Sequence, residues 1–174
     1  MITSVRRGIC AAAILSAISL PASAQVLQLG VDGSPAGLDP HLVTAFNSFQ
    51  VVNGTIYEGL TAIDKDLRTV AGLAEKWEVS ADAKTYTFTL RANAKFHDGS
   101  AVTSEDAASS LKRVLSKDIA SPLASRLAAL DTVESPSATT LVVKLKEPSA
   151  PLLTSLALIA IVPKAFEAAT AMWY

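Results

Sequence analysis

"KTYTFTLRANAKFHDGSAVTSEDA", Lys84 to Ala107, decides how the rest of the chain is read. Its first part alternates. Tyr86, Phe88 and Leu90 fall on one side and Thr85, Thr87, Thr89 and Arg91 on the other, the pattern of a half-buried strand with one polar face. Its last part starts a helix. Thr103 stands at the N-cap and Asp106 at N3, close to a capping box, and Glu105 and Asp106 both suit the positive end of a helix dipole. Ala107, Leu111, Val114 and Leu115 continue as an apolar stripe. Lys112, Arg113 and Lys117 stand near the helix C-terminus, where cations are favoured. Between strand and helix, His97-Asp98-Gly99 reads as a turn, because Gly accepts positive φ and Asp bonds its own backbone. Turn and cap chemistry thus explains the density of His, acids and hydroxyls here.

Upstream, "SADAK" is a second turn, so Trp77-Glu78-Val79 is expected to pair with the strand as a hairpin, and Leu73 to Trp77 reads as a short helical turn. From Thr44 the apolar steps Phe46, Phe49, Asn53, Ile56 and Leu60 predict a helix weakened at Gly54. Val26 to Val31 is a short strand candidate, followed by the Gly- and Pro-broken "DGSPAGLDPH", Asp32 to His41. Downstream, "SPSATT" reads as a turn before an alternating strand, Thr140 to Lys146, with Leu141, Val143 and Leu145 on one side. Leu152 to Val162 is too short for a membrane span and reads as buried core. The order of elements predicts mixed α and β in one compact unit.

The first 24 residues are expected to be a cleavable secretory signal. Arg6 and Arg7 precede an apolar run from Gly8 to Leu20, and Ala22-Ser23-Ala24 supplies the processing site. Cys10, the only cysteine, lies inside it, so the processed chain from Gln25 has no thiol for a disulfide, a nucleophile or a thiolate metal site. The whole chain carries 15 basic and 16 acidic residues; without Arg6 and Arg7 the balance is 13 against 16, a net of −3. No basic stretch stands out, which argues against nucleic acid and anionic membrane as partners.

Catalytic and metal signatures are absent. His41 and His97 are the only histidines and have no metal-ligand spacing, so no metal and no cofactor is expected. There is no nucleophile elbow, no zinc-protease motif and no phosphate loop of the nucleotide-binding type. Asp64, Asp66, Glu75 and Glu78 read as solvated surface charge, Tyr57 and Trp77 as core aromatics, and His41 as a local hydrogen-bonding residue. "GSPAG", Gly33 to Gly37, is at most a weak anion cradle.

"LDPH", "IYEGL", "GLAEKWEVSADAKTYTFTLRANAKFHDGSAVTSEDAASSLKRV", "TLVVKLKEPSAPLLTSLA" and "IVPK" follow one another in this order. Together, from Leu38 to about Lys164, they strongly resemble the family-5 extracellular solute-binding proteins of ABC transporters, the oligopeptide- and dipeptide-binding type. Ala83 departs from the pattern, standing where such turns usually carry Gly.

The resemblance implies a partial periplasmic binding protein fold of the mixed α/β class. Residues 1–24 would be the signal, 25–45 the start of ligand-binding lobe one, and 46–174 a bracing subdomain truncated at its C-terminus, with the second lobe absent. It implies a periplasmic component of an ABC-type peptide import system that is not an enzyme. The partners would be a peptide or other small solute and a permease in the inner membrane, with no membrane span after signal cleavage. Asp32, Gly33 and Ser34, in a loop shaped by Pro35, would offer backbone groups to the ligand. Two alternatives remain: a small secreted structural or interaction protein made from this subdomain, and a secreted hydrolase with an unrecognised site. Which solute is bound is not written in these residues.

Overall fold

The computed structural model describes Gly30, Gly33 and residues 37–53 and 55–166. The chain divides into units Met1–Gly30 and Val31–Tyr174, and every element described here lies in the second. The expected strand Val26 to Val31 falls outside the described residues apart from Gly30, and the signal segment falls wholly outside them.

A four-stranded antiparallel sheet carries the structure: β3 (Ala74–Val79), β4 (Thr85–Leu90), β6 (Thr140–Leu145) and β5 (Leu130–Ser137), side by side in that order. β4 shows the alternation its sequence predicts, with Tyr86, Phe88 and Leu90 buried and the threonines between them half-exposed. Phe88 lies opposite Trp77 on one side and Leu141 on the other; Tyr86 lies opposite Val79 and Val143. Directly opposed residues share a face, so these rows make one apolar sheet surface. Helix α2 (Ser104–Leu115) contributes Ala107, Leu111 and Val114, all 0% exposed, to the same core cluster. Burying each Leu, Val or Phe of this size stabilises by about 1.5–3 kcal/mol.

The remaining elements form a smaller layer. β1 (Thr61–Ile63) and β2 (Thr69–Ala71) make a short hairpin, and α3 (Leu152–Ala157) packs on it. Thr61 Oγ1 donates to Leu153 O at 2.6 Å. Gly59 lets the two approach, since a Cβ there would stand 2.5 Å from Leu156 O, inside backbone contact distance. Leu152, Leu156 and Ile159 to Val162 are buried, as expected of the second apolar run. Among the described residues no helix is long and apolar enough to cross a membrane.

The structure corrects several sequence expectations. Leu73 to Trp77 is not helical: residues from Ala74 onward form β3, because Trp77 pairs with Phe88 in the hairpin. The helix beginning near Thr44 is only α1 (Phe46–Val52), and Asn53 turns extended at φ −84°, ψ 125°. Leu60 is buried from the approach to β1 and not from a helix, and Phe46 is 69% exposed. "SPSATT" is mostly strand. β5 runs through Ser137, and its Pro136 is tolerated because β5 is a sheet edge. Tyr57 and Trp77 are half-buried: Trp77 packs against the core cluster, whereas Tyr57 meets Phe166 edge-on at 6.5 Å.

Candidate functional site

Of the three residues expected to face a ligand, Gly33 alone is described; Asp32 and Ser34 lie outside the described residues. Gly33 is half-buried against α1, where an added Cβ would stand 2.6 Å from Asn47 Nδ2. The chain just beyond it, from Gly37 to Val43, is held by a set of polar contacts that the sequence did not suggest.

These contacts start from α2. Asp106, Ser110 and Arg113 are spaced four and three apart and so share one face of the helix. Asp106 Oδ1 accepts from Lys164 N at 2.9 Å, and Ser110 Oγ accepts from Val162 N at 3.0 Å. Arg113, 2% exposed, donates from Nη1 to Asp39 Oδ1 at 3.1 Å and from Nη2 to Asp39 Oδ2 at 2.7 Å, a bidentate ion pair. Its Nη1 also stands 2.8 Å from His41 Nδ1, and its Cζ lies 5.3 Å from the Phe166 ring centroid, a cation–π distance. Arg113 Nε is buried with no hydrogen-bond acceptor among the described residues.

His41 is fully buried, and its Nε2 lies 2.8 Å from Ala160 O. A carbonyl can only accept and a guanidinium can only donate. The ring must therefore be neutral, with its proton on Nε2 and Nδ1 accepting from Arg113. Burial lowers the His41 pKa from its ordinary 6.5, and the Arg113 charge adds to that, against the opposing pull of Ala160 O and Asp39. At Asp39 burial acts to raise the carboxyl, but the hydrogen bonds from Arg113 and from the His41 N–H, with the Arg113 charge, leave it below its ordinary 3.8. The Tyr57 phenol is raised, first by burial and then by the Asp39 charge. His41 thus does bond locally, through its N–H to Asp39 Oδ1 at 2.9 Å, but its ring reaches much further along the chain than expected.

Arg113 is a correction too. It does not merely face the helix dipole; it joins the buried face of α2 to the 39–41 segment. The signal that could have revealed it is its place three residues after Ser110 and seven after Asp106, on one face of the helix.

A cleft of about 680 Å³ opens beside this region, lined by Tyr57, Glu58, Arg91, Phe96, His97 and Phe166 among others. Arg91 Nη2 donates to Glu58 Oε2 at 2.5 Å across it. The opening turn behaves as its sequence predicts. Gly99 has φ +88°, and Asp98 Oδ1 accepts from the Ser100 hydroxyl and N–H, which together lower its pKa. The other acids are likewise engaged locally or exposed. Asp64 Oδ1 accepts from Asp66 N and Arg68 N to shape the β1–β2 turn, and Glu75 and Glu78 are exposed on β3.

The family description "Bacterial extracellular solute-binding proteins, family 5 Middle" matches residues 68–174. A protein of Brucella ovis named as an ABC transporter peptide-binding protein is 37% identical over 141 residues, 78% of this chain and 26% of that protein. Among solved structures, AgaA of A. tumefaciens R10 in complex with agropinic acid is similar with a TM-score of 0.75 and 36% identity, over 81% of this chain and 29% of that one. Haemophilus influenzae OppA in complex with RPPGFSPFR has a TM-score of 0.73 and 27% identity, over 80% of this chain and 31% of that one. The chain spans about a quarter of the length of the Brucella relatives it matches.

Proposed function

Because the chain belongs to the family-5 bacterial extracellular solute-binding proteins, we propose that it is the N-terminal part of the periplasmic, peptide-capturing component of an ABC-type import system. The observation that carries this reading is the match of 78% of the chain to a protein named as peptide-binding, over only 26% of that protein's length. Residues 46–174 act as the brace, residues 25–45 begin the ligand lobe, and residues 1–24 are removed on export. The loop Asp32, Gly33 and Ser34 offers main-chain donors and acceptors to a peptide, in the manner of an added strand. The brace holds the 39–41 segment, just downstream of that loop in sequence, through the Asp39–Arg113 pair and the His41–Ala160 hydrogen bond. The role is binding, not catalysis. The partners are a peptide and an inner-membrane permease, and the remaining binding surface comes from chain beyond Tyr174.

Sequencing the DNA past codon 174 tests this. The reading expects the rest of the family's sequence in some frame. Non-coding sequence there, together with a stably folded and exported product, would favour a small secreted interaction protein instead.

A further inference from the structure

The 39–41 segment is attached to α2 by three groups whose protonation states depend on one another. Asp39 is engaged through both oxygens: Oδ1 accepts from His41 N and Arg113 Nη1, and Oδ2 accepts from Arg113 Nη2. His41 is held by its two ring nitrogens, one against a donor and one against an acceptor. Ser121 Oγ donates to His41 O at 2.5 Å and closes the segment from the far side.

We infer that Arg113 is the positioning residue for the Gly37–Val43 segment and that it keeps its grip only while His41 is neutral. A proton added to His41 goes to Nδ1, the ring nitrogen that carries none in the neutral form. That places an N–H against the Arg113 Nη1–H, with two donors and two positive charges 2.8 Å apart. The charged groups facing the ring offer no relief. From its own segment comes Asp39, both of whose oxygens are turned to the Arg113 guanidinium; from α2 comes Arg113 itself; Tyr57, after α1, feels both charges but is a neutral phenol. The strand-like stretch at Ala160 presents a carbonyl and the 121 turn a hydroxyl. An imidazolium is therefore relieved by moving out toward water, which carries the segment away from α2. The lowered pKa of the buried ring agrees with this. The inference goes beyond the solute-binding reading, and its test needs no solute, so the two can fail separately.

The test is nuclear magnetic resonance of the full chain, uniformly labelled with nitrogen-15. At about pH 7.5 the His41 ring should be neutral with its proton on Nε2. The amides of Leu42 and Val43, which both donate to Asp39 O, should be protected from exchange. Between about pH 7.5 and pH 5, their exchange relative to α2 amides, corrected for intrinsic rates, should rise on the order of tenfold, because an exposed histidine titrates near 6.5. His41→Gln should abolish that rise, and Arg113→Lys, which loses the bidentate fork, should raise exchange at both pH values. A ring protonated on Nδ1 at pH 7.5, no protection of Leu42 and Val43, an unchanged ratio at pH 5, or a His41→Gln chain with the wild-type rise would each overturn the inference. The wild-type readings decide the matter even where a variant fails to fold.

Discussion

Thr103 and Asp106 satisfy one another at the start of α2. Thr103 N donates to Asp106 Oδ2 at 2.9 Å, and Asp106 N donates back to Thr103 Oγ1 at 3.4 Å. This reciprocal cap is what the dense polar stretch before the helix builds, and Asp106 uses its other oxygen to hold Lys164 N. Thr103→Ala should therefore cost about 0.5–2 kcal/mol. Asp106→Ala should cost more, because it loses both the cap and the tie to the 162–164 segment. Chemical denaturation of the two variants checks the order, and equal costs would show that the Lys164 contact contributes nothing.

Ala83 adopts φ +54° in the turn between β3 and β4, a left-handed conformation that L-residues other than Asn and Asp avoid. Ser80 Oγ and Asp82 stiffen the same turn, since Asp82 Oδ1 accepts from Ser80 Oγ and Lys84 N. The cost of Ala in this region is about 1–2 kcal/mol, partly offset because Gly makes the unfolded chain about 0.4–1 kcal/mol more flexible. Ala83→Gly should stabilise by about 0.5–1 kcal/mol on balance. A lowered denaturation midpoint would contradict the left-handed assignment.

Acid should destabilise the fold in two stages. The folded His41 pKa lies below its ordinary 6.5, so its neutral, bonded form contributes stability that is complete above that value. The contribution is lost as the pH falls from there through the folded pKa, because the unfolded chain binds the proton first. Asp39, lowered below 3.8, adds a further loss only at stronger acidity, as the pH falls through its folded pKa. Denaturation midpoints taken from neutral to mildly acidic pH should fall for the wild type and stay level in that first stage for His41→Gln. A wild-type profile that is flat through the mildly acidic range would refute the neutral-histidine assignment.

Export should remove the first 24 residues. Arg6, Arg7, the apolar run and Ala22-Ser23-Ala24 motivate this. Mass spectrometry of a periplasmic extract should find a chain beginning at Gln25. An intact Met1 form in the cytoplasm would rule it out.

Elements with strong local signals were legible in the sequence. β4 shows plain alternation, and α2 shows a cap followed by a stripe. The misread strands carry bulges. In β5, the register shifts between Leu130 and Thr132 and again between Glu134 and Ser137 put its buried Leu130 and Val133 three residues apart, which hides the period of two. In β3, a shift between Ala74 and Lys76 puts the buried Ala74 and the half-buried Trp77 three residues apart, a helical spacing on a chain that is extended. At the candidate site, Asp98 and Gly99 announced a turn because their chemistry is local. Arg113 did not announce its partner, because Asp39 lies 74 positions away and only the folded chain brings the two together.

The most direct test of the account is a titration of the processed chain, Gln25 to Tyr174, with mixed di- and oligopeptides, followed by calorimetry and tryptophan fluorescence. A peptide laid along Gly33 gains only a few backbone hydrogen bonds, each worth about 0.5–1.5 kcal/mol. Association costs roughly 4–15 kcal/mol in lost translational and rotational freedom. On the proposed division into a brace and the start of one lobe, no saturable binding is predicted, because such a part would not enclose a ligand. Saturable binding at micromolar affinity or tighter would contradict it and show that this part of the family fold captures peptide without the rest.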